Sequence, residues 1–478
     1  MSEEVVQKKT NNKLINISQK TFISVLIMLF SLMIVAIVLT YVLPKGEFGV
    51  ADGVTNYGEY IALENAKGIP IWKGLLAPFM QLGGSDGLSI IMLSLFLVVI
   101  AGAFQAMNDN NGIKVIVNRI IARFKAHQFL LLAIIALIFM LFGSFLGLFE
   151  EMLTLLPIIV ILCVSIGYDS FTGFLVSIVA CGFGFSSAIT NPFTVLFASQ
   201  IMGINPMSAV WYRIIVFVVM YGVMLLAIFL YTRLIKKHPE KSLTTAHDEK
   251  IKDQIFEEVE IQNEKKIFIS YLIFFLVALA VIIVFSCINA IRDYTVVALI
   301  AVFLIGGLLA ALISSNFNFK LTFKSFGKGA LSALPTVTFI LLAASIKYVL
   351  VEGHILPTIA HSINTVVEGK NPYALALLLF AIIIVLEFFI SSSTAKAMFV
   401  MSILSVLTLS ISKESQVLIY LFADGYTNLL FPTSPVLLIG LSMIEVSYFK
   451  WLKKSWPLFL VTFSLVVVFI VIAVAIHL

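Results

Sequence analysis

Long apolar runs alternate with short polar connections along the chain, a pattern typical of a protein that crosses a membrane many times. A helix needs about 20 apolar residues to span a hydrocarbon core roughly 30 Å thick. Runs of this length predict spanning helices at 21–43, 87–107, 209–232, 266–288, 294–313, 331–351 and 455–477.

Four other apolar stretches are interrupted by polar residues. Stretches 128–166 and 372–411 are apolar at both ends and polar in the middle, which predicts re-entrant hairpins that enter and leave the membrane on one side. Stretches 171–204 and 415–444 contain polar residues and Pro, which predicts broken spanning helices. The chain thus divides into a polar N-terminal segment, 1–20, a first half, 21–235, a charged linker, 236–265, and a second half, 266–478.

The distribution of Lys and Arg orients this all-α arrangement. With nine crossings and a cytoplasmic N-terminus, the basic clusters around Lys8, Arg119, Lys236, Lys324 and Lys453 all lie inside, as the positive-inside rule requires. If each hairpin crossed the membrane once instead, several clusters would change side. The charge pattern therefore favours re-entrant hairpins in a multi-pass protein of a bacterial inner membrane.

Composition excludes several classes of protein. The chain has 478 residues, of which 60% are hydrophobic and only 12% are charged, whereas a soluble domain carries about 25% charged residues. The net charge is +5 without a compact basic patch, so nucleic acid is not an expected partner. Cys163, Cys181 and Cys287 lack metal-ligand spacing, and no metal or cofactor is expected.

The two halves share weak internal similarity. Segments 111–113 and 353–355, positions 150 and 393, and segments 190–192 and 433–435 correspond at an almost constant shift of about 243 residues. Each repeat contains an odd number of crossings, three, so the second copy is expected upside down. Inverted repeats with broken helices are typical of secondary transporters, whose substrate site lies where the repeats meet.

The two breaks share a helix-starting pattern. Asn191 precedes Pro192 and Ser434 precedes Pro435, which predicts an N-cap followed by Pro at the first helical position in each case. A helix N-terminus attracts carboxylates, and free carbonyls and hydroxyls around Asp424 suit a cation. A single break is explained by a Pro kink, but two at equivalent places favour a binding site.

The hairpin tips carry the remaining candidate chemistry. The first tip holds adjacent carboxylates, Glu150 and Glu151, which suit a cationic substrate group, a proton or a helix cap. The second holds four hydroxyl residues, 391–394, followed by Lys396, which either binds substrate or forms a structural pair with Glu387. The predicted substrate-binding residues are Glu150, Glu151, Thr190, Asn191, Thr194, Ser392, Ser393, Thr394, Lys396, Asp424, Asn428, Thr433 and Ser434.

These motifs resemble a known family. Segments 147–151, 190–194, 391–394 and 431–435 are similar to those of YfcC-type carriers, which are grouped with anaerobic four-carbon dicarboxylate carriers in the ion transporter superfamily. The resemblance covers nearly the whole chain. It implies elevator-type alternating access and a homodimer. Dicarboxylate-transporting relatives have Ser-Asn-Thr at the tips, whereas this chain has Glu-Glu and Ser-Ser-Ser-Thr.

Several functions stay open at this point. A secondary transporter of an amino acid leads, with exchange of a basic amino acid such as arginine or ornithine first, because some YfcC-type members are associated with that exchange and a Glu-Glu tip suits a cation. A four-carbon dicarboxylate or a short peptide is the alternative cargo, and the coupling ion is a proton or sodium. A channel is less favoured. Metalloprotease, hydrolase and nucleotide-binding motifs are absent, so no enzyme is predicted.

Overall fold

The chain folds into a largely helical structure. The computed structural model describes residues 19–51, 54–64, 66–84, 87–124, 127–255, 263–288, 290–291, 294–367, 370–390, 393–406 and 409–478. Seven helices of this described part are long and apolar enough to cross a membrane: Ile90–Asp109, Gln128–Leu146, Val210–Lys237, Val296–Ser314, Phe319–Glu352, Pro372–Phe389 and Tyr448–Ala475. These helices support the predicted membrane protein.

The first half contains eleven of the described α-helices. In chain order they are α1 Gln19–Val42, α2 Ile71–Leu75, α3 Ala77–Met80, α4 Gly87–Asp109, α5 Gly112–Phe124, α6 Gln128–Leu141, α7 Leu156–Ser165, α8 Ser170–Phe174, α9 Ala180–Ser186, α10 Phe197–Met202 and α11 Val210–Lys237. Short π-helical turns at Phe142–Leu146, Leu175–Val179 and Pro192–Leu196 extend α6, join α8 to α9 and lead into α10.

The linker and the second half contain the other described α-helices. They are α12 Thr245–Ile255, α13 Glu264–Cys287, α14 Thr295–Ala301, α15 Gly307–Ser314, α16 Phe319–Ser332, α17 Leu334–Glu352, α18 Leu356–Val367, α19 Pro372–Phe389, α20 Ser393–Val406, α21 Lys413–Thr427, α22 Pro435–Met443 and α23 Tyr448–Ala475. A π-helical turn, Val302–Gly306, joins α14 to α15. 3-10 turns lie at Gln81–Gly83, Glu151–Thr154 and Pro239–Lys241.

Each predicted hairpin contains two consecutive helices, and in the first hairpin a short non-helical tip joins them. The first runs from α6 through a tip at 147–150 to α7, and the second runs from α19 to α20. The predicted broken helices are interrupted between α9 and α10 and between α21 and α22. Re-entry of the hairpins into one face of a membrane stays a prediction.

The order of elements in the first half recurs in the second. In each half a long helix, α4 or α17, is followed by a short amphipathic helix, a hairpin, a broken helix and a final long helix, α11 or α23. The turn before each amphipathic helix holds a residue at positive φ, 58° at Asn111 and 54° at His354. This agreement supports two related units, and their inverted orientation stays a prediction.

Sequence patterns did not reveal an antiparallel β-hairpin between α1 and α2. Strands β1 Gly46–Ala51 and β2 Val54–Ala62 pair with Gly46 opposite Ala62, and a bulge follows Phe48. The hairpin packs against α18, where the Tyr60 ring stacks on His361 with ring centroids 4.1 Å apart. Its segment lacks a clear alternation of apolar and polar residues, which is the usual sequence signal of a strand.

Candidate functional site

Both predicted N-caps are present at the breaks. Asn191 accepts a hydrogen bond from the Phe193 amide through Oδ1 at 2.9 Å, and Ser434 accepts one from the Leu437 amide at 3.5 Å. Both capping residues are buried, and Pro follows each of them. The two half-helices that follow therefore begin inside the protein, as the sequence predicted.

Two amides just before the first half-helix are bonded to the first hairpin. The Ile189 amide donates to both the carbonyl and the hydroxyl of Ser144 at 3.0 Å, and the Thr190 amide donates to the same carbonyl at 3.3 Å. The Asn191 side-chain amide donates to the Gly143 carbonyl at 3.2 Å. The first hairpin supplies these partners because buried backbone groups must be bonded. Ser144, a polar residue in an apolar helix, is the signal that sequence reasoning missed.

The second break is held by the helix that follows it in the chain. Trp451 is fully buried on α23, and its Nε1 donates to the Leu429 carbonyl at 2.9 Å. The Tyr448 hydroxyl donates to the Leu430 carbonyl at 2.8 Å. The Asn428 side chain donates back to the Asp424 carbonyl at 3.0 Å, so its amide group stabilises the end of α21.

The two broken helices cross where they are interrupted. A Cβ atom on Gly425 would lie 2.2 Å from the Cα atom and the amide nitrogen of Ser186, so only glycine permits this approach of backbones. Each hairpin also packs against the second half of the opposite broken helix: α20 contacts α10, and the turn Glu151–Thr154 contacts α22. The geometry thus brings the first tip, Ser393 of the second tip and both breaks into one bundle.

A buried triad of charges lies on the second-half side of this bundle. Lys396 on α20 forms ion pairs with Glu387 on α19 and with Asp424 on α21, the latter with Nζ 2.5 Å from Oδ1. All three side chains are essentially inaccessible. The predicted pairing of Glu387 with Lys396 is confirmed. Asp424, around which the sequence predicted a cation site, forms an ion pair with Lys396, and its role in substrate binding stays a prediction.

Among the described residues, the first tip has no corresponding cation. Glu151 is 7% exposed and Glu150 is half-buried, and among the described residues no Lys, Arg or His lies within 4.0 Å of either carboxylate. Neither residue caps the following helix through its side chain. A buried charge without a partner is costly, so this acidic pair differs from the second-half triad, because no counter-charge for it lies in the part of the chain that the structure describes.

The other predicted residues occupy varied positions. Thr190 donates to the Phe145 carbonyl at 3.3 Å, and Thr194 is fully buried with no hydrogen-bond partner for its hydroxyl in the described part. Thr433 is buried beside the Ser434 cap, and Ser393 joins the triad by donating to Asp424. Ser392 lies outside the described residues, as does the side chain of Thr394.

Comparison with known proteins identifies the family. Residues 22–475 match the family described as "DcuC: C4-dicarboxylate anaerobic carrier", which is nearly the whole chain. The chain belongs to the C4-dicarboxylate anaerobic carrier family. It is a membrane transporter, and the predicted resemblance is confirmed.

Two curated relatives and two solved structures are similar to it. The chain is 26% identical over 467 residues to the Escherichia coli (strain K12) protein named "Putative basic amino acid antiporter YfcC", which covers 90% of this chain and 91% of the relative. It is 23% identical over 373 residues to a Haemophilus influenzae protein named "Uncharacterized protein", covering 76% of this chain and 71% of the relative.

The structural similarities are weaker. The YdaH transporter of Alcanivorax borkumensis aligns at 15% identity with a TM-score of 0.47, covering 95% of this chain and 99% of that one. MtrF of Neisseria gonorrhoeae aligns at 14% identity with a TM-score of 0.45, covering 94% and 95%.

Proposed function

We propose that this transporter is a secondary antiporter that exchanges a basic amino acid, such as arginine for ornithine, by alternating access. The choice of a basic amino acid as substrate rests on one observation. The first tip presents two adjacent carboxylates, Glu150 and Glu151, without a cationic partner among the described residues. A cationic side chain or amine would supply the missing charge, whereas a dicarboxylate would add two like charges.

The breaks supply a complementary site for the other end of the substrate. The half-helices that follow Asn191 and Ser434 direct their N-termini into the bundle, and the turn Glu151–Thr154 packs beside the helix that Ser434 caps. A helix N-terminus favours a carboxylate. An amino acid with its α-carboxylate at a half-helix and its cationic end at the first tip would therefore match both charges.

The repeated element order suits alternating access. Two related units, in each of which a hairpin packs against the opposite broken helix, would offer similar routes from the two sides of a membrane. We infer two inverted repeats, elevator-type movement and a homodimer in a bacterial inner membrane with a cytoplasmic N-terminus. The described helices and the family membership support a membrane transporter, and these finer features belong to the proposal.

Transport by the purified protein in liposomes tests the cargo. Liposomes loaded with unlabelled arginine should take up labelled arginine or ornithine, and empty liposomes should take up little, since antiport requires a counter-substrate. Labelled succinate should not be exchanged. Exchange of succinate with no effect of arginine would contradict the proposal and would favour the second candidate, a four-carbon dicarboxylate carrier, which the family description supports.

Removing the negative charges of the first tip tests whether Glu150 and Glu151 bind the cationic end of the substrate. Glu150→Gln and Glu151→Gln should each weaken arginine exchange at least tenfold, about 1.4 kcal/mol of transition-state or binding free energy, because a charge-assisted contact is lost. Glu64→Gln, a change at an exposed carboxylate near the β-hairpin, is the matched control and should retain exchange. Normal arginine exchange by the double variant Glu150→Gln/Glu151→Gln would exclude the tip as the cation site.

A further inference from the structure

Lys396 has surroundings that would suit a small dissociable cation. Its ammonium lies between carboxylates from two different helices, Glu387 and Asp424, and none of its surface is exposed. The Ser393 hydroxyl donates to both oxygens of Asp424, at 3.0 and 2.9 Å, and Tyr420 donates to the Ser393 carbonyl at 2.6 Å. The Asp424 carboxylate is therefore held in place beside the ammonium by neighbouring polar groups.

The balance of charges around Lys396 indicates the role of its ammonium group. Without Lys396, two carboxylates would face each other in the interior, where each needs an opposite charge. A single positive charge balances one of these two carboxylates, and in the absence of Lys396 a monovalent cation from solution would have to supply it. Because Lys396 is covalently part of α20, this cationic group cannot leave the site during a transport cycle.

The two tips consequently differ in function. The acidic pair of the first tip, Glu150 and Glu151, has no fixed cation among the described residues, whereas the carboxylates near the second tip are already paired. We infer that Lys396 is a tethered cation that takes the place of a dissociable coupling ion, so that Na⁺ is not required and the substrate is the mobile charge. This inference deepens the proposed function, since a carrier with a fixed internal cation is suited to exchange.

Removal of the charge tests this role without any substrate. Lys396→Met keeps the apolar stem and removes the ammonium, whereas Lys396→Arg keeps the charge. The thermal unfolding midpoint of purified wild-type protein should be equal in sodium chloride and choline chloride of the same ionic strength, in mildly alkaline buffer. The Met variant should unfold several degrees lower in choline chloride and recover part of this loss in sodium chloride or methylammonium chloride.

The double variant Lys396→Met/Asp424→Asn separates charge from packing. It removes one carboxylate together with the ammonium, so its midpoint should depend on sodium much less than that of the single Met variant, and Lys396→Arg should show no sodium dependence. Specific stabilisation of the wild type by sodium would overturn the inference. So would a Met variant whose midpoint is the same in sodium, methylammonium and choline.

Transport provides a second measurement if the Met variant is not recovered. Wild-type arginine exchange should proceed at the same rate in liposomes with choline in place of sodium on both sides, and a strict sodium requirement would overturn the inference. The thermal measurement involves no substrate, so it can support a tethered cation even where the liposomes show no arginine exchange. In that case the proposed cargo fails and the role of Lys396 stands.

Discussion

At the scale of single residues, the first tip depends on a glycine that no other residue replaces easily. Gly147 has a φ of +70°, and a Cβ atom there would lie 2.5 Å from Oδ1 of Asn191. The glycine thus lets the tip turn and lets the Asn191 cap approach it. This contact connects the hairpin that carries Glu150 to the half-helix that Asn191 caps.

Substitution of Gly147 separates these two roles. Gly147→Ala should lower stability by about 1 kcal/mol through its left-handed backbone and by more through the clash with Asn191. Gly203→Ala is the control, because Gly203 has a φ of +67° but nothing lies within 4 Å of its added Cβ atom. Thermal unfolding of both variants measures the difference. Equal destabilisation would show that the Asn191 contact is unimportant.

At the scale of elements, the broken helices are held together by close backbone packing rather than by long side chains. Gly425 on α21 meets the backbone of Ser186 at the end of α9, and Gly184 on α9 meets the Met140 carbonyl on α6. A Cβ atom at either glycine would contact backbone, which cannot move aside as a flexible side chain does. The crossing therefore fixes how far the two breaks lie from each other.

Enlarging the crossing should disrupt the site. Gly425→Ala should abolish arginine exchange and lower the unfolding midpoint, because the added methyl group overlaps backbone and overpacking typically costs about 1–3 kcal/mol or more. Gly222→Ala on α11 is the control, since its Cβ atom would meet nothing within 4 Å and alanine favours a helix by up to about 1 kcal/mol. Wild-type exchange by Gly425→Ala would contradict this account of the crossing.

At the scale of the whole molecule, helix α12 of the charged linker packs against both halves of the protein. Asp248 on α12 accepts hydrogen bonds at 2.8 Å from the Ser170 amide of the first broken helix and from the Thr244 hydroxyl. Two residues further along, the Lys250 ammonium lies 2.8 Å from Glu445, just after the second broken helix. The linker therefore contacts the first broken helix at its start, through Ser170, and the second broken helix at its end, through Glu445.

The contact with Glu445 should be sensitive to acid. His247 and Lys250 hold the pKa of Glu445 below its ordinary value near 4.5, so its stabilising effect is present above that value and is lost as the pH falls through the lowered pKa. Hydrogen exchange in 245–255 should thus be faster in Glu445→Gln than in wild type at neutral pH, and the two should converge in acid.

A control on the same helix completes the comparison. Glu249→Gln changes an exposed carboxylate and should leave the exchange of 245–255 unchanged. Burial raises the pKa of Asp248, so its effect on stability changes with pH in the opposite direction to that of Glu445. Asp248 is present in all these variants, so its effect cancels when they are compared. Identical exchange in wild type and Glu445→Gln at neutral pH would show that the linker does not depend on Glu445.

The sequence predicted the parts of the structure that follow from apolar length and helix-capping chemistry. Runs such as 209–232 became long helices, and the Asn191 and Ser434 caps appear where Pro follows them. Partners distant in the chain could not be predicted, because pairwise contacts leave no periodic pattern. The bonds from Ser144 to the first break and the engagement of Asp424 by Lys396 are of this kind.

A structure determined with bound substrate tests the central claim most directly. An electron cryomicroscopy map of the purified transporter in excess arginine should show ligand density between the hairpin tips. The guanidinium should lie within hydrogen-bond distance of Glu150 or Glu151, and Lys396 should remain between Glu387 and Asp424. Density bound elsewhere, or a guanidinium that displaces Lys396 while the first tip stays empty, would contradict the account.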